Sequence, residues 1–437
     1  MSELRATVVG AGLAGSEAAW QLLRRGISVT LYDMKPHKKS PAHNEDYFAE
    51  LVCSNSLRSD RLQNAAGLIK EEMRKLDSLI MMAADQARVP AGGALAVDRD
   101  SFSSFVTEKL LSHPELSYIP KEIDSIPPSS TIIATGPLTS DALSEAIAAL
   151  PQVDTLHFYD AAAPIVTKES VDMSLAFMAS RYGRGDDDYI NCPMNKDEYE
   201  AFYKELLEAQ TAPIHGFEES KVFEGCMPVE SLARRGEMTL AFGPLKPVGL
   251  IDPRTGKQPY AVLQLRRDDA SDSLYNLVGF QTRLKFSEQK RVFGMIPGLG
   301  EAEYARYGVM HRNTFLNSPA ILDSQYMMKE TDGVYFAGQM TGVEGYIESA
   351  ASGLCAGIHL ARRMLSKPEI IFPPITALGA LSRYVSTYNR HYQPIHISFG
   401  LIEPLKEKVR NKEQRYLKVA DLALHTIDEL KESFLIE

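Results

Sequence analysis

Two of the four cysteines of this 437-residue chain sit among residues that could give a thiol a reactive role. Cys226 lies within Phe223-Glu224-Gly225-Cys226-Met227-Pro228-Val229-Glu230-Ser231-Leu232-Ala233-Arg234-Arg235-Gly236. Pro228 fits the first position of a helix, Glu230 its first turn and Gly236 its stop. This spacing predicts Cys226 just ahead of a helix N-terminus, where unpaired N–H groups and the macrodipole favour a thiolate. Cys53 is crowded by Ser54, Asn55 and Ser56 in a segment, residues 50–60, with neither helix nor strand period. Such a loop can bring a thiol near solvent, and an inert buried cysteine suits the local residues equally well. Cys192 and Cys355 complete the set; no C-x-x-C pair and no His/Cys cluster has zinc spacing, so neither a metal site nor a disulfide framework is expected.

A second chemistry is written at the start of the chain. The β-branched run Arg5 to Val9 breaks at Gly10-Ala11-Gly12-Leu13-Ala14-Gly15, a helical stretch follows to Leu23, the chain turns at Gly26, and a strand from Ile27 to Tyr32 ends at Asp33. In this strand–turn–helix–strand pattern Gly10 makes the tight turn and Gly12 admits a pyrophosphate. Gly15 lets helix and strand pack closely, and Asp33 accepts from a ribose hydroxyl. A dinucleotide is the implied ligand. The strand Thr131 to Ala134, ending at Thr135-Gly136, suits close ligand approach at a strand's carboxyl end. Strand, glycine turn and helix recur from Gly333 through Gly338-Gln339 and Tyr346 to about Leu365, as a second contact with the same ligand or a structural crossover.

The elements that must position these residues exceed one core, so a division is expected into residues 1–155, an inserted body over 156–324, and a return over 325–437. Residues 61–88 and Phe102 to Leu111 read as helices by three-and-four spacing, Ala261 to Leu265 as a strand, and the tail from Leu381 onward as helical. The net charge of −10 argues against a protein that coats nucleic acid indiscriminately. Between Arg383 and Lys418, however, eight Lys/Arg face three acids, with Tyr384, Tyr388, His391 and Tyr392 among or beside them. This pattern suits RNA or a solvated helix face. No apolar run reaches the ~18 residues a membrane span needs, and no basic and apolar leader precedes the first strand, so a cytoplasmic location is expected.

Gly10-x-Gly12-x-x-Gly15 with Ala19 and Gly26 resembles the extended motif of FAD proteins with a glutathione-reductase-like (Rossmann-type) α/β domain. The chain as a whole is similar to the TrmFO family of folate- and FAD-dependent tRNA (uracil-5-)-methyltransferases. The likeness is carried by Gly12-Leu13-Ala14-Gly15-Ser16-Glu17-Ala18-Ala19, Glu50-Leu51-Val52-Cys53-Ser54-Asn55-Ser56, Asn191-Cys192-Pro193-Met194 and Phe223 to Pro228. It continues through Gly243-Pro244-Leu245-Lys246-Pro247, Met295-Ile296-Pro297-Gly298-Leu299, His311-Arg312-Asn313-Thr314-Phe315, and Ala337-Gly338-Gln339 to Gly345-Tyr346. Asp33 stands where that family usually has Glu, and either carboxylate can accept the ribose bond. The related FAD-dependent wobble-uridine-modifying family shares the Ala-Gly-Gln turn, but its long C-terminal extension is missing here and the Cys226 context fits TrmFO better. A small-molecule NAD(P)H flavin oxidoreductase and a non-catalytic RNA-binding flavoprotein are the further alternatives.

The resemblance implies an FAD-binding domain with an inserted α+β domain and a helical tail, and methylation of C5 of T-loop uridine 54 in tRNA. Carbon would come from 5,10-methylenetetrahydrofolate and electrons from NADPH or NADH through FAD. It also implies Cys226 as the nucleophile at uracil C6, Cys53 as a second functional cysteine handling protons or protecting the flavin, and Tyr346 beside the isoalloxazine. His311, with Arg312 and Asn313, is read as a pterin or substrate contact.

Overall fold

The computed structural model describes residues 4–40, 42–150, 153, 155–183, 186–212, 227–390 and 392–433, with backbone only for 155–160 and 310–314. Strand β1 (Arg5–Val9) leads into helix α1 (Leu13–Leu23) and strand β2 (Ser28–Asp33). These belong to a five-stranded parallel sheet in the spatial order Val334–Phe336, Thr131–Ile133, β1, β2, Leu116–Pro120. β1 is central, and the chain order reverses direction beside it. Ala6 and Val8 are fully buried and Val9 nearly so, as parallel strands covered on both faces require. The fold is thus α/β with a Rossmann-type sheet.

Helix α1 packs against the helix Tyr346–Met364, and backbone meets backbone there. A Cβ on Gly353 would lie 2.1 Å from the Ala14 carbonyl oxygen, so glycine is required at that crossing. Leu22, Ala18 and Ala19 beside it are fully buried.

Several sequence expectations are corrected. The helix expected over 61–88 is two helices, Ala65–Lys75 and Leu79–Gln86. Asp77 turns into the left-handed region (φ 54°), and the Ser78 hydroxyl accepts from Met81 N at 3.2 Å to start the second helix. The apolar spacing runs through the break because Met73, Leu76, Leu79 and Ile80 enter one core. The helix ending at Leu111 begins earlier, at Arg99, because Asp98 caps it through Ser101 N. Pro228 precedes the short helix Val229–Ala233 rather than opening it. The tail is not continuously helical: helices Ala377–Ser386 and Lys412–Glu432 flank an irregular stretch that contains Pro394, Gly400 and Pro404.

A second body carries a six-stranded antiparallel sheet ordered Phe177–Met178, Tyr189–Met194, Ala261–Arg267, Leu274–Leu277, Ile165–Thr167, Tyr304–Arg306. It has its own core, with Ile190, Tyr199, Phe202, Leu263, Phe280 and Phe293 fully buried. An antiparallel ribbon, Thr155–Ala161 with Met310–Leu316, connects it to the parallel-sheet body. Among the described residues no helix is long and apolar enough to cross a membrane.

Candidate functional site

The parallel strands end on one crevice of about 1110 Å³. Its lining includes Gly10, Gly12, Leu13 and Ala14 after β1, Asp33 at the end of β2, Thr135 and Gly136 after Thr131–Ile133, and Gly338 and Gln339 after Val334–Phe336. A crevice at the carboxyl ends of strands, beside the point where strand order reverses, is where open α/β sheets take nucleotides. The three opening glycines do different work. Gly10 has φ +100°, and a Cβ there would sit 2.6 Å from Ala134 O. A Cβ on Gly15 would fall 1.7 Å from Gly10 O, so Gly15 sets the helix-to-strand approach from behind the crevice wall. A Cβ on Gly12 meets nothing within 4 Å. That open face at the N-cap of α1 is the cradle a pyrophosphate needs, where N–H groups and the helix dipole converge. Ala11 also stands behind the wall: its N–H donates to Asp33 Oδ2 at 2.7 Å, and Lys35 N–H donates to Oδ1 at 2.9 Å. Each carboxylate oxygen keeps a lone pair for a ribose hydroxyl. These residues fit a dinucleotide such as FAD.

His43 also lines the crevice, with Nδ1 2.6 Å from the Ser40 hydroxyl. Burial, then the neighbouring Lys35 charge, pushes its pKa down to about 4, so the ring is neutral near pH 7. Lys35, itself lowered by burial, lies 3.9 Å from the Glu50 carboxylate.

A second lobe of about 1140 Å³ adjoins the first, sharing Val52, Pro137, Leu138, Gln339 and Tyr346 with it. Cys53, Ser54, Arg58, Arg266, Glu344 and His396 are among its other walls. Cys53 is half-buried on this wall rather than an inert core thiol, unlike Cys192 and Cys355, which are buried with their thiol pKa pushed up by desolvation. Tyr346 ties the lobes together. Its hydroxyl accepts from Cys53 N at 2.6 Å and from Ser54 N at 3.1 Å, and burial raises its pKa. On the facing wall Gln339 donates to Glu344 Oε2 at 2.7 Å, and His396 Nδ1 lies 2.8 Å from the Glu344 carbonyl oxygen.

The second body reaches the Cys53 loop through arginines. Arg266, on strand Ala261–Arg267, donates to Ser54 Oγ at 2.7 Å and Asn55 Oδ1 at 3.2 Å. Arg306 donates to the Val52 carbonyl. Arg99, from the parallel-sheet body, donates to the Leu51 carbonyl and reaches Cys53 O at 3.4 Å while paired with Asp268 at 2.9 Å. Sequence reasoning missed these arginines, with His43, Glu344 and His396, because no local spacing marks them. Cys226 lies outside the described residues. His311, Arg312 and Asn313 fall on the strand Met310–Leu316, and their side chains are not described.

The family model for glucose inhibited division protein A matches residues 5–368. The chain is 58% identical over 424 residues to "Methylenetetrahydrofolate--tRNA-(uracil-5-)-methyltransferase TrmFO" of Acetivibrio thermocellus, covering 97% of each chain. It is 57% identical to the protein of the same name from Listeria monocytogenes over 431 residues, 98% of this chain and 99% of that one. Among solved structures, GidA of Aquifex aeolicus aligns over 98% of this chain and 76% of its own, with TM-score 0.70 and 16% identity, a likeness of fold. Identity at this level along nearly the whole length places the chain in the TrmFO family.

Proposed function

We propose that this protein methylates C5 of T-loop uridine 54 in tRNA, taking carbon from 5,10-methylenetetrahydrofolate and reducing equivalents from NADPH or NADH through bound FAD. The observation that carries the reading is the end-to-end identity with relatives that bear this activity in their names. The crevice and the adjoining cysteine-lined lobe are consistent with it. Gly10 to Gly15, Asp33, Thr135-Gly136 and Gly338-Gln339 would hold FAD, which would supply electron and one-carbon chemistry when bound.

C5 of uracil is a poor nucleophile. Addition of the Cys226 thiolate to C6 forms an S–C6 bond and moves the ring π electrons toward O4, which makes C5 nucleophilic. After C5 bonds the methylene carbon, loss of the C5 proton expels the one-carbon carrier and leaves an exocyclic methylene. A hydride equivalent, drawn ultimately from NADPH or NADH, would complete the methyl group as the C6–S bond breaks, which releases the Cys226 thiolate and restores the C5–C6 double bond. Tyr346, at the junction of the lobes, orients the reacting partners, and Cys53 faces the same space.

The C-terminal segment supplies the RNA contact in this reading. All eight Lys/Arg between Arg383 and Lys418 are exposed. Tyr416 stacks on Phe399 with centroids 4.1 Å apart, and Lys412 and Arg415 lie over its ring. Phe399 follows His396 of the second lobe by three residues, so basic and aromatic groups start at its rim. Phosphate contacts of this type bring steep salt dependence.

The test uses Cys226→Ala. It retains yellow FAD and loses methyl transfer; methylation at the wild-type rate would refute the nucleophile assignment. Charge reversal of Lys412 and Arg415 together raises the KM for tRNA and flattens its salt dependence while flavin reduction by NADPH is unchanged.

A further inference from the structure

Three guanidiniums grip three consecutive residues: Arg306 at Val52 O, Arg99 at Cys53 O, and Arg266 at Ser54 Oγ. They come from three separate elements, Tyr304–Arg306, Arg99–Leu111 and Ala261–Arg267. Among the described residues one carboxylate, Asp268, is ion-paired with any of them, and it pairs with Arg99. Arg266 and Arg306 bring two further positive charges into a largely desolvated site. Burial, the largest cause, lowers the pKa of both, while Asp268 and the Cys53 sulfur act in the opposite direction on each.

A guanidinium does not lose its proton in a protein, so its charge must be balanced where it stands. Among the described residues, Tyr346, Arg58, Glu344 and His396 line the lobe together with Cys53. Tyr346 stays a phenol, because burial disfavours its anion. Arg58 and His396 across the lobe add no negative charge, and Arg58 is itself paired with Glu348. Glu344, which also lines the lobe, accepts from Gln339. The thiol of Cys53 belongs to the segment these arginines hold, and its ordinary pKa, ~8.5, lies close enough to neutrality for two positive charges to ionise it.

We propose that Cys53 rests as a thiolate, its charge balancing the buried guanidiniums of Arg266 and Arg306. These arginines are positioning residues: they hold the loop through its oxygens and fix the charge state of the sulfur. The inference concerns the resting protein and stands or falls apart from the methyl-transfer reading.

The experiment is alkylation of the reduced, FAD-loaded protein by iodoacetamide at a series of pH values, with peptide mass spectrometry separating Cys53 from the other three cysteines. In wild type the Cys53 rate reaches half its plateau below pH 7. Arg266→Gln and Arg306→Gln each move that midpoint up by about one pH unit or more, so the rate at pH 7 falls roughly tenfold. Arg266→Lys keeps the charge, loses the forked hydrogen bonds, and leaves the midpoint within a few tenths of wild type. Flavin absorbance and a melting curve establish that each variant is folded, and Arg306→Gln stands alone if Arg266→Gln does not fold. A wild-type midpoint at or above pH 8.5, or one that neither neutral variant moves, overturns the proposal.

Discussion

The nucleotide crevice and the cysteine lobe share a wall, yet they are built in opposite ways. In the crevice the backbone does the work. Glycines at 10, 12 and 15 shape the turn, and a Cβ at Gly15 would strike Gly10 O. In the lobe, although residues 50–60, expected to be without strand, include the short strand Ser56–Ser59, the chain at Cys53 itself is irregular. It is held by side chains distant in sequence: Tyr346 from 293 residues away, Arg306 from 254 and Arg266 from 212. A site made of local backbone tolerates little change of residue size. One made of distant side chains can be retuned one contact at a time.

Gly15→Ala breaks the crevice most severely. A methyl group 1.7 Å from Gly10 O forces the helix off the strand, at a cost of ~3 kcal/mol or more, and the variant is recovered insoluble or without flavin. Gly12→Ala separates ligand from fold: with open space at its Cβ and φ −72°, the apoprotein melts as wild type does, while FAD affinity falls about tenfold or more. Titration calorimetry and melting curves read the two halves of that expectation. If the apoprotein were destabilised instead, the assignment of Gly12 to the phosphate would fail.

Tyr346→Phe acts where the two regions join. The Cys53 and Ser54 N–H groups lose their shared acceptor, costing ~1–3 kcal/mol, and methylation drops with FAD still bound. Unchanged stability and rate would show that the tie is incidental. The smallest effect lies outside both regions. Glu72 is fully buried and accepts from Ala377 and Leu378 N–H, and burial raises its pKa from 4.5 to about 7. Because the folded pKa lies above the unfolded one, its contribution to stability is complete below pH 4.5 and is lost as pH rises through 7. The melting temperature of Glu72→Gln relative to wild type therefore rises across that interval, and a flat difference would contradict the assignment.

This contrast also explains what the sequence disclosed. Gly10 to Asp33 could be read directly because turn, cap and ribose acceptor lie within one βαβ unit. The break at Asp77 escaped notice because apolar spacing continues across it into the same core. The irregular chain between Ser386 and Lys412 was concealed by its charge pattern, which resembles a solvated helix. Nothing near Arg266 or Arg306 in sequence foretells that they meet at residues 52–55, since that meeting depends on how the antiparallel sheet docks. The Cys53 context admitted an inert or an exposed thiol, and the placement of Arg266 and Tyr346 around the loop decides for the lobe wall.

The account rests on methyl transfer to one tRNA position, and nucleoside mass spectrometry tests it most directly. The protein is incubated with unmodified tRNA, isotopically labelled 5,10-methylenetetrahydrofolate and NADPH, and the tRNA is then digested and mapped. Label in 5-methyluridine at position 54, absent when either the folate or the nicotinamide is omitted, is the predicted result. An unlabelled T-loop, or a modified wobble uridine in its place, would contradict it.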